Sequence, residues 1–374
     1  MTAGVRQAVF ARIGSRPIPR VVRMMRVAAD LGYDTVFCGA HRDKSLPQTE
    51  EWGGSRVVRL GRHFPLLNGR RPLLYLRSVY RFNRELYRYL ERHRPDLVHA
   101  SDIETMAAAL LYRRRTGARL VYNIHDNLAQ RYEVPRFLAW LLNTVEGWCV
   151  RAADVTIVPE EFRRNALPAS CQEQVQVVRN TPEDSGFAEP DPGSDKIRIF
   201  FGGWLDWGRG LRALLTIAEK DPGIELRVAG DGAPEIVAEL EANPNVVYLG
   251  FVEHDVVMAE TRQCHFVAAL YDPVRTINRF AASNKLAEAL SVGRPVIVNK
   301  EMEIGKCLSP ADCLVISDYE RAEELGPKLR ELHSNSEAYR AACKAARQVY
   351  EAQYAWGPVR ERIRQVLSGG EVLT

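Results

Sequence analysis

The stretch "SNKLAEALSVGRPVIV", residues 283–298, sets a lysine and a lone carboxylate about one turn apart just inside a helix start. The pattern opens at Ser283, with Asn284 as an alternative cap, carries Lys285 and then Glu288, and stops at Gly293 ahead of an apolar strand. Backbone N–H groups left unpaired at a helix start, with the helix dipole behind them, form an anion site. Lys285 adds positive charge, and Glu288 can accept hydrogen bonds from a neutral diol such as that of a ribose. Phosphates at the tip and a sugar beside the carboxylate together suit a nucleotide. A capped amphipathic helix with a solvated Glu288 suits the same residues.

Three further stretches carry chemistry. In "FFGGWLDWGRGLRALL" (200–215), Gly202 and Gly203 permit close backbone approach to a ligand, and Arg209 stands where a second phosphate contact would arise. A purely structural glycine turn uses the same residues. "VYNIHDN" (121–127) ends an apolar run with His125 and Asp126; a histidine there can donate to a hydroxyl or phosphate, or titrate near neutral pH. His99 also ends such a run, and a strand-end histidine is often structural. Arg77, Arg81, Arg84, Arg88 and Arg92 fall at spacings of four, three, four and four, along one helical stripe. Such a stripe is either a solvated basic face or a contact for anionic lipid headgroups or an acceptor diphosphate. No nucleic-acid module accompanies it, so no nucleic-acid partner is expected.

Other chemistries lack their residues. There is no P-loop, and no Gly-x-Gly-x-x-Gly follows a strand, which counts against nicotinamide and flavin dinucleotides. The seven cysteines are scattered, without a Cys-x-x-Cys pair or a histidine at zinc spacing, and read as reduced and mostly buried. No Asp-x-Asp is present to hold a metal, so neither metal nor cofactor is expected.

These residues must be positioned by regular elements. Apolar runs at 8–13, 34–40, 96–101, 119–126, 154–160 and 175–180 alternate with helical patterns at 18–31, 72–93, 103–116 and 135–152. That alternation predicts a parallel, doubly wound sheet covered on both faces. Residues 181–195, with three prolines, two glycines and five carboxylates, read as an interdomain linker. The alternation then restarts, with strands expected at 197–203, 224–232, 246–252, 266–273, 294–300 and 312–317 and helices between them. Two Rossmann-like α/β domains in tandem follow, and since ligands of such sheets sit beyond the carboxyl ends of the strands, the expected site is the cleft between the domains.

The 374-residue length agrees with two domains, because single cores stop growing near ~250–300 residues. Composition, 46% apolar and 26% charged, is that of a folded soluble protein. No window approaches ~18 consecutive apolar residues and the first residues lack a signal-peptide core, so a cytoplasmic location is expected. The formal charge of +4 hides an asymmetry: residues 1–186 carry 29 Lys and Arg against 19 Asp and Glu, the remainder 22 against 28. The first half is therefore expected to meet something anionic.

In order along the chain, these stretches resemble the retaining glycosyltransferases of GT-B architecture, family four. "RVVRMMRVAADLGYDTVFCG" resembles that family's first helix and second strand, "VEGWCVRAADVTIVPEEF" its "E…raDxvixvs" segment, and "VQVVRNTPE" the strand leading to its linker. "FFGGWLDWGRGLRALL" resembles "fvG.l...KGl..Li", "LRVAGDG" resembles "l.ivGdG", and "SNKLAEALSVGRPVIV" is similar to "pNKlfEyma.GkPvi", the most specific of the set.

The resemblance implies an acceptor-binding domain over 1–186, a nucleotide-sugar donor domain over 187–353, and a segment over 354–374 that crosses back to the first domain. By position it implies that Glu288 binds the ribose, Asn284 and Lys285 the diphosphate region together with Gly203 and Ser283, and Arg209 the diphosphate where the family usually has lysine. His125 falls at the histidine lining the donor sugar, and Gly14 and Arg20 in the loop after the first strand, near phosphate and acceptor. Phe280 stands where the commoner pattern has a glutamate, and Trp204 replaces a frequent arginine, so the sugar contact is expected from elsewhere in "YDPVRTINRFAA". The implied reaction moves a hexose from a UDP- or GDP-type sugar to an acceptor with retention; the fixed cationic donors and the lack of an Asp-x-Asp point to transfer without metal, and the arginine stripe points to cell-surface glycan or lipid-linked oligosaccharide synthesis, peripherally on the inner membrane leaflet. A nucleotide-sugar epimerase on the same architecture, and a catalytically idle binding subunit, are the rival readings.

Overall fold

The computed structural model describes residues 6–61, 72–132, 134–191, 195–308 and 311–370. They fall into two compact units, Met1–Arg179 with Gly357–Thr374, and Asn180–Trp356.

The first unit is built on β1 (Arg6–Arg12), β2 (Tyr33–Ala40), β3 (Thr49–Trp52), β4 (Ser55–Leu60), β5 (Leu97–Ser101), β6 (Arg119–Asn123), β7 (Val155–Val158) and β8 (Val175–Val177). They form one sheet in the order β3-β4-β2-β1-β5-β6-β7-β8. Its helices are α1 (Pro19–Asp30), α2 (Pro72–His93), α3 (Met106–Thr116), α4 (Leu128–Tyr132), α5 (Arg136–Ala152) and α6 (Glu161–Asn165). The central strands bury both faces, as parallel strands between helical layers must: all of β5 and β7 is buried. Right-handed crossovers put α1, which carries the chain back from β1 to β2, on one face. The chain from β4 onward advances in the opposite direction, so α2, α3 and α5 lie on the other.

One strand departs from the expected parallel sheet. β3 runs antiparallel to β4, with Trp52 opposite Ser55 across Gly53 and Gly54, whose φ values are 58° and 78°. Two consecutive positive φ angles make the tight hairpin that such a Gly-Gly pair favours.

The second unit has β9 (Ile197–Gly202), β10 (Ile224–Ala229), β11 (Val246–Tyr248), β12 (Phe266–Ala268), β13 (Val296–Asn299) and β14 (Leu314–Ser317). Their order is β11-β10-β9-β12-β13-β14, parallel at every pairing. Its helices are α7 (Leu211–Lys220), α8 (Pro234–Ala242), α9 (His254–Gln263), α10 (Thr276–Arg279), α11 (Asn284–Ser291), α12 (Glu303–Leu308), α13 (Leu325–Ser334) and α14 (Ser336–Val349). In each sheet the direction of winding reverses once, at β1/β5 and at β9/β12, and a ligand crevice is expected at the carboxyl ends flanking that reversal.

The segment expected to be a bare linker is partly fastened to the second unit. Arg347 holds both carboxylate oxygens of Asp184 at 2.8 Å, Thr181 donates to the Tyr354 carbonyl at 2.6 Å, and the Ala188 N–H reaches the Val292 carbonyl at 3.1 Å. The last helix, α15 (Trp356–Ser368), packs on the first unit from Gly357 onward. Arg119 donates to the Val366 carbonyl at 2.8 Å, Arg362 to the Val177 carbonyl at 3.1 Å, and Ile363, Val366 and Leu367 are buried. Among the described residues no helix is long and apolar enough to cross a membrane. Six of the seven cysteines are buried and Cys307 is exposed.

Candidate functional site

In the second unit, three segments converge on the β9/β12 reversal. The turn after β9 carries Gly203 and Arg209, the loop after β12 carries Tyr271, and α11 follows behind them. The turn is shaped by two close approaches. Gly203 takes φ of 130°, and a Cβ on Gly230 would stand 1.8 Å from the Gly203 carbonyl oxygen. Gly210, at φ of 75°, opens α7, where a Cβ would stand 2.4 Å from that of Leu270.

Ser283 occupies the cap position of α11, with extended φ and ψ of −75° and 124°, but its side chain does not cap. Its hydroxyl instead accepts from Tyr271 at 3.1 Å. Asn284 does not serve as the cap either, and its Oδ1 is buried without a partner. The N–H groups of the first turn thus have no side-chain acceptor, as an anion dock requires.

Lys285 is buried, and its Nζ has no hydrogen-bond partner. It lies 3.8 Å from the centre of the Phe201 ring and 5.2 Å from that of Tyr271, while Arg209 approaches the same tyrosine ring at 5.7 Å. Burial, and then Arg209, push the lysine well below its ordinary pKa, with Glu288 opposing. Glu288 is itself buried, which removes the solvated alternative. One of its oxygens meets His254 Nε2 at 2.9 Å. The sequence reading missed His254 and Tyr271. The histidine opens α9 more than thirty positions before Glu288, and only the β11–α9 turn brings it there.

In the first unit the β1/β5 reversal gathers a second polar cluster. Asp102 follows β5 in the left-handed region, φ 61°, and its Oδ1 accepts the N–H groups of His125 at 2.7 Å and Asp126 at 3.2 Å. The same oxygen is 3.5 Å from His125 Nδ1, within ion-pair range. Burial opposes the Asp102 charge, yet His125, Arg131 and Arg12 outweigh it and hold the carboxyl well below the usual range. His125 is lowered, by burial first, with Asp102 opposing.

Arg20 lies in the first turn of α1 rather than in the loop, because Pro19 starts the helix there. It donates to Asn123 Oδ1 at 3.2 Å and to the Val178 carbonyl at 2.6 Å, and its Nη2 is buried without a partner. Burial and then Arg23 bring it down to about 9, so it stays charged at neutral pH. Asn123 also approaches His125 Nε2 at 3.4 Å and His99 Nε2 at 3.2 Å, tying Arg20 and His125 into one network. Gly14 lies in the loop after β1, where a Cβ would stand 2.6 Å from the Arg12 guanidinium. His99 is the structural histidine of the two: fully buried, tilted against Phe10 at 4.9 Å, and pushed down to about 3 by burial. Asp102 and Asn123 were missed; positive φ in an aspartate leaves no mark in composition.

All five arginines of the α2 stripe are exposed, and Glu85 pairs with Arg84 and Arg88 at 3.1 Å each. Among the described residues no group of three His, Cys, Asp or Glu could hold a metal ion.

A glycosyl transferase 4-like domain model matches residues 17–181, and a glycosyl transferase-like model matches residues 209–368. No curated protein matches the chain by sequence. Among solved structures, sucrose-phosphate synthase from Thermosynechococcus elongatus superposes with a TM-score of 0.78 at 15% identity, over 97% of this chain and 98% of that one. HepE from Anabaena, in complex with UDP and glucose, does so at 0.69 and 15%, over 97% and 100%. An α,α-trehalose-phosphate synthase (UDP-forming) from Burkholderia vietnamiensis does so at 0.63 and 11%, over 99% and 100%. With both of its units matched by family models and its fold shared from end to end, the chain belongs to the GT-B glycosyltransferases of the family 4 type.

Proposed function

We propose that this glycosyltransferase moves a hexose from a nucleotide-diphosphate sugar, held by the second unit, to an acceptor held by the first. The observation that carries the donor half is Lys285, a buried lysine whose Nζ has no hydrogen-bond partner, beside Arg209 and the uncapped start of α11. A diphosphate supplies the missing counter-charge. As the glycosyl–oxygen bond breaks, negative charge accumulates on the leaving diphosphate, and these fixed donors stabilise it without reorganising; loss of one such donor costs roughly 10²-fold or more in rate. Glu288, oriented by His254, accepts the ribose hydroxyls. Retention comes from the family resemblance and metal independence from these fixed donors and the lack of an Asp-x-Asp in the sequence, and product NMR and assays in EDTA check them.

His125 donates to a hydroxyl of the donor sugar, and for the acceptor half Arg20 with the Gly14 loop serves a phosphate. A lipid-linked glycan precursor supplies that phosphate. UDP is the favoured donor base, since HepE is solved with UDP and UDP-glucose. Calorimetric titration with UDP and GDP tests the reading: UDP is expected to bind, and binding of neither nucleotide overturns it. Nucleotide release that depends on added acceptor separates transfer from epimerisation.

A further inference from the structure

α5 leaves an apolar face without a partner. Phe137, Trp140, Leu141, Val145 and Trp148 recur at helical spacing along its outer side, and all are exposed, Phe137 by 76% and Trp140 by 70%. Large aromatic side chains aligned on one face are uncommon on a surface that meets only water. α2 adds to the same layer: Leu73, Leu76 and Tyr80 are exposed, interleaved with Arg77 and Arg81. The two helices flank α3, whose Arg114 lies over the Trp148 ring at 5.2 Å and whose Leu111 is also exposed. At the other end Tyr75 of α2 and Arg131 of α4 meet on Glu104, at 2.6 and 3.0 Å, and α4 packs on α5. The patch is therefore continuous across one face of the first sheet.

Charge identifies the occupant. No carboxylate occurs between Pro72 and Arg84, and the single one on α5, Glu146, is turned inward onto Tyr122. The first unit carries 32 Lys and Arg against 19 Asp and Glu, a surplus of 13, while the second unit is acidic. A second copy on this face would oppose arginine to arginine. A bilayer interface instead accepts aromatic rings at headgroup depth and draws arginines to anionic lipid.

We propose that the outer faces of α5 and α2 dock the protein on an anionic membrane surface, with Phe137 and Trp140 entering the headgroup layer and Arg77 and Arg81 pairing with lipid phosphates. This docking is a property of the first unit and does not depend on the nucleotide reading.

Sedimentation of the full chain with vesicles tests it. Binding is expected to mixed phosphatidylglycerol and phosphatidylcholine vesicles, to weaken as salt rises, and to be slight on phosphatidylcholine alone. Both Phe137→Glu/Trp140→Glu and Arg77→Glu/Arg81→Glu are expected to lower partitioning by roughly tenfold or more, with unchanged melting, since all four side chains are exposed. No binding to the anionic vesicles overturns the proposal. So does binding that both double variants retain in full, or a wild-type dimer by light scattering that Phe137→Glu/Trp140→Glu renders monomeric without any vesicle binding.

Discussion

A lysine side chain that is buried, without an acceptor and beside an arginine is held as the neutral amine or awaits an anion. Lys285 is in that position, and its lowered pKa has a measurable consequence. A bound diphosphate favours the charged form and raises the pKa again, so between the free and bound values binding takes up a proton. Affinity for nucleoside diphosphate is then expected to fall as pH rises through that window. Calorimetry in buffers of different ionisation enthalpy should report proton uptake for the wild type and none attributable to this site for Lys285→Met. The variant is also expected to bind roughly 10- to 100-fold more weakly, the worth of a charge-assisted hydrogen bond. Identical heats in all buffers, with wild-type affinity in Lys285→Met, would mean that the ammonium does not meet the phosphates.

The turns after β9 and β10 are coupled as elements, because Gly230 and Gly203 cross in near contact. Gly230→Ala places a methyl group into backbone that no rotamer change can clear, at φ of 146°, where side chains are strained in any case. Destabilisation of about 3 kcal/mol or more is expected, together with loss of nucleotide affinity, measured by thermal melting and titration. An alanine variant with wild-type values in both would show that the Gly203 turn is not fixed from behind. This coupling also marks what was legible in the sequence. The alternation of strands and helices, and the location of Lys285, Glu288 and Arg209 near strand ends, follow from local pattern. The contact of His254 with Glu288, the shared Tyr271 ring, and the Asp102 turn beneath His125 join residues far apart in the chain, and local periodicity carries no trace of them. The β3–β4 hairpin, by contrast, has a local mark, the Gly53-Gly54 pair at positive φ.

At the scale of the whole molecule, chain order and structural units do not coincide. The first unit takes its last helix from the far end of the sequence, so its stability depends on residues that follow the entire second unit. α15 buries Ile363, Val366 and Leu367 and accepts from Arg119 at the Val366 carbonyl. At about 1.5–3 kcal/mol for each large apolar side chain, its removal withdraws at least about 5 kcal/mol, comparable with the whole stability of an ordinary domain. Truncation after Trp356 is therefore expected to melt the first unit well below the wild type, while the second, complete within Asn180–Trp356, keeps its transition and its upward shift with added UDP. Scanning calorimetry with and without nucleotide resolves the two. Loss of both transitions together would show that the second unit cannot stand without the first, and an unchanged first transition would show that α15 contributes little to the fold it covers.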